Sequence, residues 1–149
     1  MLELSVMTCP RVASWPQNVI RYVRMHDYAN YQQQWENAAA AEFERLSSLP
    51  LAALISQVRA SDFGNYYQLW RAISSKATLQ EAGWVLFDVL DSNVDYLCRY
   101  HSAAALINIS AGVLSDWKPE QLSADRAYPV RQNLKQVEKE LVAAIGKQA

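Results

Sequence analysis

The segment Thr78-Leu79-Gln80-Glu81-Ala82-Gly83-Trp84-Val85-Leu86-Phe87-Asp88-Val89-Leu90-Asp91-Ser92-Asn93-Val94-Asp95-Tyr96-Leu97-Cys98-Arg99-Tyr100-His101-Ser102-Ala103-Ala104-Ala105-Leu106-Ile107-Asn108-Ile109 reads as two helices joined by a tight turn. Thr78 and Glu81 have the spacing of a capping box, in which hydroxyl and carboxylate satisfy exposed backbone donors at a helix start. Ala82, Val85, Leu86, Val89 and Leu90 then share one face. Asp91-Ser92-Asn93 breaks the helix, because these side chains compete for local backbone groups. Asp95 is placed to cap a second helix, which gathers Cys98, Ser102, Ala105, Leu106 and Ile109 on one side. The small residues of that face admit a close neighbour, so this helix is expected at the centre of the fold.

Outward from this pair the same punctuation recurs. Pro50 opens a short helix with Leu51, Leu54, Ile55 and Val58; Asp62-Phe63-Gly64-Asn65 is a turn; Tyr66, Leu69, Trp70 and Ile73 form the next helical face. Upstream, Ser14 and Pro16 suit a helix start that aligns Trp15, Val19, Tyr22 and Val23. Asp27 is read as the cap of a separate helix with a buried stripe of Tyr28, Tyr31, Trp35, Ala39, Phe43 and Leu46, ended by Ser47 and Ser48. Downstream, Lys118-Pro119 and Ser123-Ala124-Asp125 connect to a last helix begun by Pro129, carrying Val130, Leu134, Val137, Leu141 and Ile145 and stopped at Gly146. With 4 Gly, abundant alanine and no alternating strand pattern, the chain is expected to be all-α, with six or seven helices in a single domain over residues 1–149.

The apolar residues repeat. Leu54, Ile55 and Val58 lie over Leu86, Phe87 and Leu90 at an offset of 32, and Tyr67, Trp70, Ala72 and Ile73 lie over Tyr100, Ala103, Ala105 and Leu106 at 33. Two helix-turn-helix units follow, at about 50–76 and 78–110, with flanking helices at 14–47 and 128–146. Neither unit is large enough to bury its own apolar side, so a short α-solenoid with end-covering helices is the expected packing.

Cys98-Arg99-Tyr100-His101-Ser102-Ala103-Ala104-Ala105-Leu106 resembles the second helix of HEAT-like repeats: apolar, Arg, two variable positions, small, small, variable, Ala, Leu. The resemblance covers roughly residues 50–110, and Trp70 departs from it where a small residue is usual. The period matches the short HEAT-like class rather than the about 40–47 residues of longer HEAT and armadillo units. The Thr-Pro-Leu-His signature of ankyrin repeats is missing. The resemblance implies a scaffold that binds another protein along a helical face. Helical-repeat DNA glycosylases share the architecture but present a basic channel. The iron-binding HEAT-like hydroxylases carry His-Glu pairs, whereas His101 is followed by Ser102.

Composition supports the same direction. Fourteen basic against 15 acidic side chains give a net charge of −1, which does not favour nucleic acid. No apolar run approaches the ~18 residues of a membrane span, and Met1 to Pro16 lacks a secretory pattern, so a cytoplasmic protein without a membrane partner is expected. Cys9 and Cys98 are read as free thiols. His26, His101, Cys9 and Cys98 are a thin metal-ligand inventory, and the four glycines make no phosphate loop, so no metal or other cofactor is expected.

Cys98 and His101, three residues apart, are the one candidate for a small enzymatic site; their plainer reading is a buried thiol beside a hydrogen-bonded histidine. Asp88, Asp91 and Asp95 bracket a turn without the Gly and Glu of a calcium loop. If that turn borders a binding face, its carboxylates favour a basic patch on the partner. Five Trp and eight Tyr supply contact area. Those off the buried stripes, with nearby arginines, are Tyr67, Arg71, Trp84, Tyr96, Arg99 and Tyr100, residue types enriched at binding hot spots. The expected function is therefore non-catalytic protein binding through these residues and Asp88, Asp91 and Asp95, as an immunity or antitoxin-type inhibitor or an adaptor. An enzyme at Cys98 and His101, and less so a nucleic-acid binder, are the alternatives. Self-association through an uncapped solenoid end stays open.

Overall fold

A computed structural model describes residues 17–124 and 128–149 of the chain. The regular structure among those residues is all helical: α1 (Gln17–Ser47), α2 (Leu51–Arg59), α3 (Gln68–Lys76), α4 (Leu79–Leu90), α5 (Tyr96–Ile109), α6 (Pro119–Ser123) and α7 (Tyr128–Ile145). The expected helix start at Ser14 and Pro16, the Cys9 thiol, Asp125 and the side chains of Trp15, Val19, Tyr22, Val23 and His26 lie outside the described residues.

The chain divides into two compact units, residues 1–37 and 38–149. α1 passes through the boundary without a break, so Asp27 caps nothing. Helix propagation adds a hydrogen bond per residue, and a single Asp within a run that holds neither Gly nor Pro does not interrupt it. In the first unit Tyr28 and Tyr31 are 68% and 65% exposed and Trp35 is 37% exposed, so the aromatic part of the expected buried stripe is on the surface. Only its continuation in the second unit behaves as core, with Ala39 and Leu46 buried and Phe43 packed against the buried cluster.

In the second unit α5 packs against α3, α4 and α6, as its small-residue face requires. α2 packs against α3 and α4, and α7 against α4 and α6. Thr78 and Glu81 form the capping box, the carboxylate accepting from the Thr78 N–H at 2.8 Å and from its hydroxyl at 3.0 Å. The Asp95 carboxylate accepts from the Cys98 N–H at 3.0 Å at the start of α5. Gly146, at φ 81°, ends α7 in the left-handed conformation that glycine adopts without steric cost. The Ser102 hydroxyl, fully buried, donates to the Leu86 carbonyl at 2.9 Å and ties α5 to α4.

α3 begins two residues later than the sequence pattern suggests. Tyr66 lies outside it, and Tyr67 sits at its N-cap with φ 59° and ψ 18°, a left-handed conformation uncommon for a bulky residue. The cause is non-local. Backbone N–H groups of Asn65 and Tyr66 donate to the Glu42 carboxylate on α1, and a Cβ on Gly64 would collide with that carboxylate. Glu42 thus holds the approach to α3 in a shape the local sequence does not encode. Lys76, at the other end of α3, donates to the Ser47 and Leu49 carbonyls, placing a cation at the C-terminal end of α1.

Trp70 is 2% exposed and meets Phe63 with ring centroids 5.1 Å apart. Trp70→Ala is expected to destabilise the protein by about 3–5 kcal/mol, the usual loss for deleting a buried ring. Chemical denaturation measures it, and a near-neutral result contradicts the placement of this ring in the core.

Candidate functional site

The residues singled out from the sequence fall into three places. The first is a chain of rings on the α3–α5 side. The left-handed turn at Tyr67 sets its ring on the His101 imidazole, stacked at 4.8 Å with planes 19° apart. His101 meets the edge of Tyr100 at 5.5 Å, and Tyr100 meets Tyr96 at 6.1 Å. Arg71, one helical turn beyond Tyr67, lays its guanidinium over the Phe43 ring at 4.1 Å. Tyr67, Tyr96 and Tyr100 are therefore joined on one side of the second unit through His101, and Arg71 lines the same cleft as Tyr67 and His101. Helical spacing alone pairs that histidine only with Cys98.

Beside these rings α3 and α5 leave an open cleft of about 360 Å³, lined by Tyr67, Trp70, Arg71, Ser74 and His101 together with Ala104, Ala105 and Asn108. The alanines and Asn108 are not among the residues that the sequence marks for a site. Their signal there is weak, since short side chains on a helix face read first as packing.

The second place is a larger groove of about 880 Å³ between the α4–α5 turn and α7. Asp91, Asp95, Tyr96 and Arg99 stand on one side, Arg131 and Lys135 on the other, with Phe87, Leu90 and Leu134 among its apolar lining. The groove presents both signs of charge. The Asp95 carboxylate is already committed to capping α5, and the Cys98 backbone N–H that it accepts holds its pKa below the usual value.

The third place is the end of the chain. Trp84 donates its indole N–H to the Gly146 carbonyl at 3.1 Å and meets Phe87 edge-on at 5.7 Å. Asp88 accepts from the Gln148 amide at 2.6 Å. Both expected binding residues are thus engaged by the chain's own C-terminus, through contacts spanning about sixty positions that no local pattern announces.

The surroundings of Cys98 and His101 act on both side chains in favour of the uncharged form. The Cys98 thiol is 6% exposed and associates with Asp95; burial, then the carboxylate, pushes its pKa up to about 12. A thiol so held carries negligible thiolate at neutral pH. His101 is half-buried, and desolvation lowers its pKa below the ordinary 6.5, favouring the neutral imidazole. Among the described residues no group of three or more His, Cys, Asp or Glu side chains is arranged to hold a metal ion, and no helix is long and apolar enough to cross a membrane.

No protein-family model matches this chain, and neither a curated protein nor a solved structure shows significant similarity to it.

Two titrations follow from these environments. Cys98 in the native protein is expected to resist alkylation by iodoacetamide at pH 8 and to react on unfolding; rapid native labelling contradicts its burial. For His101, a folded pKa below the unfolded value means that the unfolded state binds the extra proton first. Its stabilising contribution is complete above about pH 6.5 and is lost as pH falls through the folded pKa. The His101 ring resonances followed by NMR are expected to titrate below 6.5, and a midpoint at or above that value contradicts the environment described.

Proposed function

We propose that this chain is a non-catalytic protein-binding module, a short HEAT-like solenoid acting in the cytoplasm as an inhibitor of the immunity or antitoxin type or as an adaptor. The packing pairs support the solenoid reading: α2 lies on α3 and α4 on α5, while α2 also lies on α4 and α3 on α5. Two helical hairpins stacked side by side have this pattern of neighbours.

The observation that carries the binding reading is the set of joined rings Tyr67, His101, Tyr100 and Tyr96, with Arg71 lining the same cleft as Tyr67 and His101. Aromatic rings braced against each other offer contact area with little side-chain entropy left to lose, and an arginine stacked on Phe43 keeps the edges of its guanidinium for a partner. Trp84 and Asp88 leave the proposed interface, since the C-terminus occupies them. The enzyme alternative draws no support from Cys98, whose thiol is held protonated. A nucleic-acid role lacks the charge excess that phosphate contacts need.

The test is affinity capture from the source cell lysate with the tagged wild-type chain and with a Tyr96→Ala, Tyr100→Ala, Arg71→Ala variant of matched helicity and melting temperature. One protein retained by the wild type and lost by the variant, then reconstituted with purified components at a 1:1 ratio, is the expected outcome. Equal capture by both chains, or turnover of a small molecule abolished by His101→Ala, overturns the reading.

A further inference from the structure

Residues 27–37 of α1 are exposed without exception, and three of them are large rings on one face. Tyr28, Tyr31 and Trp35 stand at i, i+3 and i+7, so helical geometry sets them in one stripe along the axis. With roughly 200 Å² for a fully exposed aromatic side chain, their exposures of 68%, 65% and 37% leave about 350 Å² of ring surface open per chain. Apolar surface gathered in this way on one helix face marks a contact site, whereas single scattered rings need no account. The polar side chains around the stripe satisfy one another: Gln32, beside the rings, donates to Glu36 at 3.0 Å, and Gln33, behind them, donates to Asn37 at 3.1 Å. The rings are what this stretch of helix offers a partner.

Two properties of the stripe make the partner a second copy of the same chain. The first is area. A stable interface buries at least about 1,200 Å² in total, of which about 56–65% is apolar. Two copies of the stripe supply about 700 Å² of ring surface, the apolar share that such an interface needs, and the self-satisfied glutamine flanks fit its polar rim. The second is symmetry. The rings are spaced by three and four residues with Tyr31 in the middle, so the stripe read backwards overlays itself to within one residue. A surface with that property can meet its own copy across a two-fold axis, with the same patch used on both sides.

We propose that α1 pairs with α1 of a second copy, antiparallel about a two-fold axis at Tyr31, through the rings of the two stripes. Tyr28 of each copy then packs on Trp35 of the other, and the two Tyr31 rings meet at the axis. Antiparallel pairing also lays the helix dipoles in opposition, where parallel pairing would align them. The contact involves none of the second-unit rings, so it goes beyond the protein-binding reading above and is independent of it.

The experiment is sedimentation velocity on the full chain, from low micromolar to near-millimolar concentration. A reversible dimer is expected for the wild type. Tyr31→Ala, at matched helicity and melting temperature, is expected to weaken association at least tenfold, as loss of a central aromatic anchor does, while Gln33→Ala on the opposite side of α1 leaves it unchanged. Orientation is read by disulfide formation in a Cys9→Ser background: Tyr28→Cys is expected to link to Trp35→Cys when the two chains are mixed, in preference to itself. The wild-type series and the cross-linking stand whether or not the alanine variant folds. The Tyr96→Ala, Tyr100→Ala, Arg71→Ala variant is expected to dimerise as the wild type does, so the two readings fail separately. A wild-type chain that stays monomeric throughout, equal association of Tyr31→Ala, or Tyr28→Cys linking to itself in preference to Trp35→Cys overturns the proposal.

Discussion

The second unit depends on how closely α5 can be approached. Cys98, Ser102, Ala103 and Ala105 are all buried on α5, and three other helices pack against it. Bulkier residues there would push the neighbouring axes apart. A buried hydroxyl in such a contact is costly unless bonded, and Ser102 resolves this by donating to Leu86, a carbonyl already serving the α4 ladder through its other lone pair. The bond requires α4 and α5 to approach closely, and with that pair fixed the positions of α3 and α6 follow from the faces α5 has left.

What could be read from the sequence is what is decided locally. Thr78, Glu81, Asp95 and Gly146 act within one helical turn, and the helix ends they mark are where the punctuation puts them. Asp27 shows the limit of such signals: a capping side chain is permissive, and the backbone continues when the residues on both sides favour helix. The start of α3 was hidden for another reason. Glu42 accepts from the Asn65 and Tyr66 backbone across more than twenty residues, and the tyrosine that follows takes a conformation no local preference suggests. Tyr28, Tyr31 and Trp35 share helical spacing with true core residues, so periodicity alone does not separate a buried ring from a displayed one.

The candidate site divides along the same line. Tyr67, Arg71, Tyr96 and Tyr100 stand out because they fall off the apolar stripes, and rings off a stripe have only the surface or one another to meet. Trp84 and Asp88 satisfy that criterion equally, but the C-terminus comes back over them. His101 is visible as a residue yet pairs in the sequence with Cys98, because spacing on a helix predicts proximity and says nothing about which ring a neighbouring helix will supply. Tyr67, from α3's N-cap, supplies it.

Trp70 connects the proposed repeat to the packing of the core. In the alignment of the two helical hairpins it occupies the place that Ala103 occupies in the second, where HEAT-like patterns keep a small residue. An indole between two helices needs small residues opposite, and α5 offers Ala104 and Ala105, which line the cleft beside it. A small residue at position 70 would leave a void where the indole packs, because the surrounding helices relax only partly around a deleted ring. The large ring fills that space and carries its unpaired N–H into the core with it. The place of the indole in the core and its buried, unpaired N–H are thus one feature, produced by one side chain.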